Sequence, residues 1–297
     1  MRKIIIFLPF LSFLGACGGG GGGGSGAPTV QFTTMSAISN PSTVQFQGIS
    51  VESSFTTNAN TEAVTSVGTA QNGTATVIKT YDSSGNQTSI SINGSQGSTT
   101  TDAANGSSSG TSATSAYQSF ANSNADNFTL MSGRTLYEYQ TLGVWESGRN
   151  TTQVKTGAVS AGAPTAGASI PTSGTATFSG DAIGIMTDAG GSNYMTAATA
   201  NVTADFNARS LSMNTTNSTK VNLNTAGVAT DNSLNLSGTM SYAAGTNSFT
   251  GNVSTQGGMA GTATGRFYGP TAQEAGGTFN TKSTGTQTYI GAFAVKR

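Results

Sequence analysis

The sequence predicts an all-β protein: an N-terminal β-rich domain followed by a C-terminal eight-stranded antiparallel β-barrel. Three observations predict it. Gly, Ser, Thr, Asn and Ala dominate while only 8% of residues are charged, a composition that favours neither long helices nor a solvated, disordered polyelectrolyte. Short segments of alternating polarity recur between Gly, Asn and Ser punctuation, as half-buried strands require. In residues 174–297 the segments 174–187, 197–206, 209–216, 233–241, 247–254, 259–268, 274–282 and 287–295 are separated mostly by hairpin-length gaps. Ala200-Asn201-Val202-Thr203-Ala204-Asp205-Phe206 and Ser233-Leu234-Asn235-Leu236-Ser237 show the alternation clearly. Eight such strands suit a closed up-and-down barrel, and a β-sandwich would give the same spacing.

The chain opens on an export signal. Arg2 and Lys3 precede the apolar run Ile4 to Leu14, too short for a membrane-spanning helix, which needs about 20 residues. Leu14-Gly15-Ala16-Cys17 follows and resembles the bacterial lipobox. That resemblance implies a signal peptide over 1–16, lipid on the Cys17 thiol, and fatty acylation of the new amine. Cys17 is the only cysteine in 297 residues, so the exported chain has no internal disulfide. Removing Arg2 and Lys3 from 12 basic residues leaves 10 against 12 acidic ones, a net charge near −2. No nucleic-acid partner follows from such a balance.

Residues 17–27 carry the lipidated Cys17 and an unbroken glycine run, Gly18 to Gly24, extended by Ser25 and Gly26. Such a flexible coil reaches roughly 16 Å and holds a folded body off a lipid surface. No flanking strand and helix support the alternative, a phosphate-cradling loop.

Residues 28–170 form the first exported domain. Thr43 to Val51 and Ala75 to Tyr81 alternate like strands, while Ser95 to Ser115 is low-complexity and reads as a disordered loop. Leu136-Tyr137-Glu138-Tyr139-Gln140-Thr141-Leu142-Gly143-Val144-Trp145 is the richest aromatic patch. In a β-domain such a patch is more often core than a ligand-stacking surface. Residues 159–173 read as a linker into the second domain, 171–297.

One stretch carries a specific resemblance. Gly265-Arg266-Phe267-Tyr268-Gly269-Pro270-Thr271-Ala272-Gln273-Glu274-Ala275-Gly276-Gly277-Thr278-Phe279 resembles the signature of the transferrin-binding protein B β-barrel domain. Gly291-Ala292-Phe293-Ala294-Val295-Lys296-Arg297 is similar to the closing strand of those barrels. Val202-Thr203-Ala204-Asp205-Phe206 resembles the strand before their middle hairpins, and Gly143-Val144-Trp145 a piece of the preceding handle domain. Physically, Pro270 stops a strand, Gly269 relieves the turn, and Gly276-Gly277 permit close packing or a bulge. The resemblance covers 174–297 well and 130–150 loosely. It implies one handle and one barrel, lipid-anchored at the outer membrane and exposed at the cell surface. The partners it implies are a host protein or a nutrient such as haem or an iron carrier, and an outer-membrane translocator. The chain has room for one such pair and not for the two lobes of transferrin-binding protein B. No ligand-binding residue is carried over, because partner contacts in the family lie in variable loops.

Histidine is absent. That removes Ser-His-Asp and Cys-His constellations and the commonest metal ligand, and Cys17 is committed to lipid. The expectation is therefore a binding protein, with no catalytic residue, no metal site and no required cofactor. Glu274 is the sharpest acidic candidate, and its commoner role is to brace the turn through backbone N–H groups. Tyr194-Met195, placed in a loop between strands, is a candidate haem ligand, with an ordinary loop tyrosine the commoner reading. Two alternatives stay open: a structural or interaction lipoprotein of the envelope without a small ligand, and a carboxylate-based hydrolase.

Overall fold

A computed structural model of the chain describes residues 29–102, 106–109, 112–122 and 126–297. The signal peptide, Cys17 and the glycine tether lie outside the described residues. Among the described residues the extended elements belong to two sheets, and the helical content is two short 3-10 turns.

The first sheet contains β1 (Thr29–Gln31), β2 (Ser42–Thr57), β3 (Val64–Val67), β4 (Gln71–Tyr81), β5 (Gln87–Gly94), β6 (Ser98–Asp102), β7 (Gly106–Ser109), β8 (Tyr117–Asn122), β9 (Phe128–Ser132), β10 (Gln140–Ser147) and β11 (Gln153–Gly162). Its strand order is β6-β5-β4-β2-β11-β10-β9-β8-β7, with β1 and β3 attached to β2. The pairings are antiparallel apart from β1, which runs parallel to β2.

Two expectations are corrected in this domain. Ser95 to Ser115 is not one continuous loop, because β6 and β7 lie inside it. Thr99 and Thr101 of β6 turn inward opposite Ile92 and Ile90 of β5, so the strand is made by its partner without apolar residues of its own. Residues 159–162 are not linker but the end of β11, where Val159, Ser160 and Ala161 are fully buried. The connection proper runs over 163–174 and includes the 3-10 turn Gly167–Ser169.

The second sheet contains β12 (Thr175–Thr187), β13 (Asn193–Asp205), β14 (Ser210–Asn222), β15 (Val228–Thr230), β16 (Leu236–Tyr242), β17 (Ser248–Thr255), β18 (Ala260–Tyr268), β19 (Glu274–Lys282) and β20 (Thr288–Lys296). The order runs β13-β12-β20-β19-β18-β17-β16-β14, and β13 pairs with β14 to close the ring. This is the eight-stranded antiparallel barrel that the strand spacing predicts, and closure excludes the open sandwich. A register shift opposite Asn217 (φ 56°) bends β14 into the ring. The far end of β14 pairs with β15, a strand outside the eight.

Three apolar clusters divide the molecule. One fills the barrel, with Phe178, Phe206, Phe249, Phe267, Phe279 and Phe293 among its buried members. A second fills the first domain, around Phe46, Val77, Ile90, Phe120 and Trp145. The third lies between the two domains: Val51, Phe55, Leu142 and Val144 meet Ile183, Ile185, Ile290 and Ala292 on the outside of β12 and β20. β10, β11 and β20 are therefore buried on both faces. The aromatic patch is core, as expected: Trp145 is 1% exposed. Its indole lies against Gly157, where an added Cβ would sit 2.5 Å from the ring.

Candidate functional site

The signature turn after β18 forms the polar part of the seam between the domains. Gly269 takes φ 86°, which an L-residue side chain resists, and Ala272 takes φ 59°; the chain then re-enters the barrel at Glu274. Glu274 is 3% exposed, and its carboxylate points away from its own turn. One oxygen accepts from the Glu138 N–H at 2.6 Å and the other from the Tyr139 N–H at 3.1 Å. The expectation that Glu274 braces backbone N–H groups holds, but the backbone it braces belongs to the first domain.

Burial pushes the Glu274 carboxyl above its usual range, with the two N–H groups and Gln140 pulling the other way. The folded chain then holds that proton more tightly than the unfolded chain. Stability is consequently lost as pH rises from about 4 through the raised value. Glu274→Gln should flatten this part of a denaturant-midpoint profile against pH. Glu274→Ala leaves two N–H groups without acceptors and should cost about 2–4 kcal/mol. An unchanged midpoint in Glu274→Ala would remove the seam role.

Further contacts lock the same seam. The Gln140 amide donates to the Ala275 carbonyl at 3.1 Å and the Val295 carbonyl at 3.3 Å. Ser160 and Tyr268 share a hydrogen bond of 3.0 Å, and Thr165 donates to the Gly269 carbonyl at 2.6 Å. Tyr137 donates to the Ala294 carbonyl at 2.8 Å, and its hydroxyl and that of Tyr117 both lie by the Asp181 carboxylate. Burial, with Asp181 beside them, raises both phenol pKa values. At Gly276 an added Cβ would sit 2.0 Å from the Gln140 amide oxygen, so this glycine serves the seam; at Gly277 it would strike the backbone of β18. Sequence reasoning found Glu274 and missed Tyr137, Gln140, Ser160 and Asp181. Nothing local distinguishes them, since their partners lie 44–157 residues away.

The barrel is not a container. Phe267 at its centre touches Phe178, Phe206, Tyr242 and Phe249 at ring separations of 5.3–6.4 Å. Tyr194 and Met195 do not lie in a loop but in β13, which begins at Asn193. The Tyr194 hydroxyl donates to Asp188 at 3.0 Å, the Lys220 ammonium lies over its ring, and Met195 is 4% exposed in the seam cluster. These two side chains are thus already engaged. Among the described residues no group of three or more His, Cys, Asp or Glu is placed to hold a metal. Lys79 is fully enclosed, donating to the Ser132 carbonyl and Thr141 hydroxyl at 2.8 Å each, and burial pushes its ammonium down to about 7. Its enclosure keeps it from any substrate.

Outside the seam the barrel surface is mostly polar, with scattered charges such as Arg209, Lys282 and the Lys220–Asp231 pair. One cross-strand row reads Ser212, Thr239, Asn252, Thr262, Asn280. A membrane-spanning barrel needs the reverse, an apolar outward band. Among the described residues no helix is long and apolar enough to cross a membrane.

Residues 170–297 match the family described as the C-lobe and N-lobe beta barrels of Tf-binding protein B. No curated protein matches the chain in sequence. Among solved structures, it is similar to a transferrin-binding protein B double mutant from Haemophilus parasuis, at 13% identity and a TM-score of 0.45, covering 86% of this chain and 78% of that one. It is also similar to isotype 1 transferrin-binding protein B from serogroup B Neisseria meningitidis, at 12% identity and a TM-score of 0.38, covering 91% and 77%. A protein described as a surface lipoprotein is similar at 14% identity and a TM-score of 0.37, covering 53% and 75%.

Proposed function

We propose, from the match of residues 170–297 to the beta barrels of Tf-binding protein B, that the protein is a lipid-anchored binding module of the outer-membrane surface. It is held at Cys17 and captures a host protein such as an iron carrier, without turnover. The family match carries this reading. Three features support it. The barrel interior is filled with aromatic side chains, leaving recognition to its loops and to the first domain, which in this proposal serves as a handle. The seam fixes handle and barrel as one platform, so that loops of both can meet a single partner. The buried carboxylate of Glu274 is spent on backbone N–H groups, where it braces structure. An outer-membrane translocator would deliver the body to the outer face.

Purified protein should be immobilised and exposed to transferrin and to fractionated serum proteins, with a parallel haem titration followed in the Soret region. Saturable protein binding with no Soret shift is expected. A stoichiometric Soret shift with no protein partner would replace host-protein capture with haem binding.

A further inference from the structure

The handle carries an open cleft of about 710 Å³ at the ends of the β5–β6 and β10–β11 hairpins, away from the seam. Its volume falls in the range of small-molecule sites. Its side chains come from Asn93, Ser98, Ser147, Thr151, Gln153 and Lys155, with no acid and no aromatic among them. Thr151 is spent on its own turn, donating to the Gly148 and Gln153 carbonyls. The Asn93 and Gln153 amides each make one neighbouring contact through nitrogen, which leaves their oxygens as acceptors. No hydrogen bond among the described residues spends the Ser98 or Ser147 hydroxyl.

The wall of this cleft is built, not incidental. Glu52, 1% exposed, pins the β5–β6 turn by accepting from the Ser95 N–H at 3.1 Å, the Gln96 N–H at 2.7 Å and the Ser50 hydroxyl at 2.6 Å. A Cβ on Gly94 would strike that carboxylate, and one on Gly97 would sit 2.8 Å from the Trp145 ring. Backbone therefore forms this wall, with a buried acid and a buried indole behind it. Lys155 stands at the rim, its ammonium donating to the Gln96 carbonyl at 3.1 Å, with no carboxylate paired to it among the described residues.

We infer that this cleft is a saccharide site, with Lys155 reading an acid group on the sugar. The chemistry selects this class. The absence of lining acids disfavours cations, and the absence of bulky apolar side chains disfavours haem and acyl chains. Hydroxyls and amides both donate and accept, as neighbouring sugar hydroxyls do. The ammonium only donates and carries charge, which suits a carboxylate. Glu52 does not compete for the ligand, because its oxygens are directed into the turn behind Gly94. The inference stands independently of the protein-capture reading, which concerns loops and a macromolecule.

Calorimetric titration of the purified full chain with glucuronate, glucose and acetate tests it. Glucuronate should bind saturably and about tenfold more tightly than glucose, the worth of one charge-assisted hydrogen bond. Acetate should give no saturable heat. Lys155→Met should reduce glucuronate to the level of glucose, and Ser147→Trp should abolish both by filling the cleft, each with an unchanged melting temperature. Absence of glucuronate binding, acetate binding as tight as glucuronate, or glucuronate binding unaffected in Ser147→Trp would each overturn the assignment. If Lys155→Met melts early, Gln153→Ala supplies the second variant: weakened glucuronate binding supports the site, and unchanged binding counts against it.

Discussion

Replacing Phe267 with alanine should lower the stability of the protein by about 3–5 kcal/mol, the cost of truncating an enclosed phenylalanine. Phe267 has no exposed surface, and four aromatic rings surround it inside a closed barrel. Those rings project from β12, β16 and β17 and from the turn after β13, so the ring tethers much of the barrel wall to one point. A closed sheet cannot collapse onto the void by sliding a strand, because every strand is paired on both sides. The cavity therefore stays, and the cavity cost with it. Thermal melting should fall by roughly 10 °C for a chain of this size. Phe267→Leu should cost less than half as much, and Thr250→Ala on the exposed face should stay within about 0.5 kcal/mol. If Phe267→Ala melted with the wild type, the barrel would not be packed around this ring.

Cys17→Ala has the largest expected effect on location. Two or more acyl chains anchor a protein stably, whereas even one gives only marginal, reversible binding. Among the described residues no helix is long and apolar enough to substitute. The barrel surface beyond the seam is mostly polar with scattered charges, and the seam itself is covered by the first domain. The variant should therefore leave the membrane fraction almost completely and lose incorporation of labelled fatty acid. A variant that stays in the membrane fraction would end the lipid-anchor reading.

The barrel was legible in the sequence because its strands alternate. One face of β16 reads Leu236, Gly238, Met240 and Tyr242, and the other Ser237, Thr239 and Ser241. Strand ends were less legible where polarity gives no contrast. Ser192-Asn193 reads as turn, yet β13 already starts there because it pairs with the end of β12. In the first domain, β6 has no apolar residue at all, and only its pairing with Ile90 and Ile92 makes it a strand. Val159 to Gly162 looked like linker because its residues are small. They are small because Gly162 and Ala161 lie where sheet and seam come too close for anything larger.

The role of Glu274 was half legible. A carboxylate beside a Gly-Pro turn suggests backbone N–H partners, but those partners stand 135 and 136 residues earlier. One available signal was the near-continuous apolar run of β20, Tyr289 to Val295. A strand with no polar face is covered on both sides, and here the second cover is the first domain.

The central claim is that the first domain and the barrel meet their partner outside the cell. Protease or antibody treatment of intact cells tests it most directly, with a periplasmic protein as the control for an unbroken outer membrane. The account predicts that the body carrying residues 29–297 is digested or labelled on intact cells while the control stays protected. A body reached only after the outer membrane is broken would contradict it and place the protein in the periplasm.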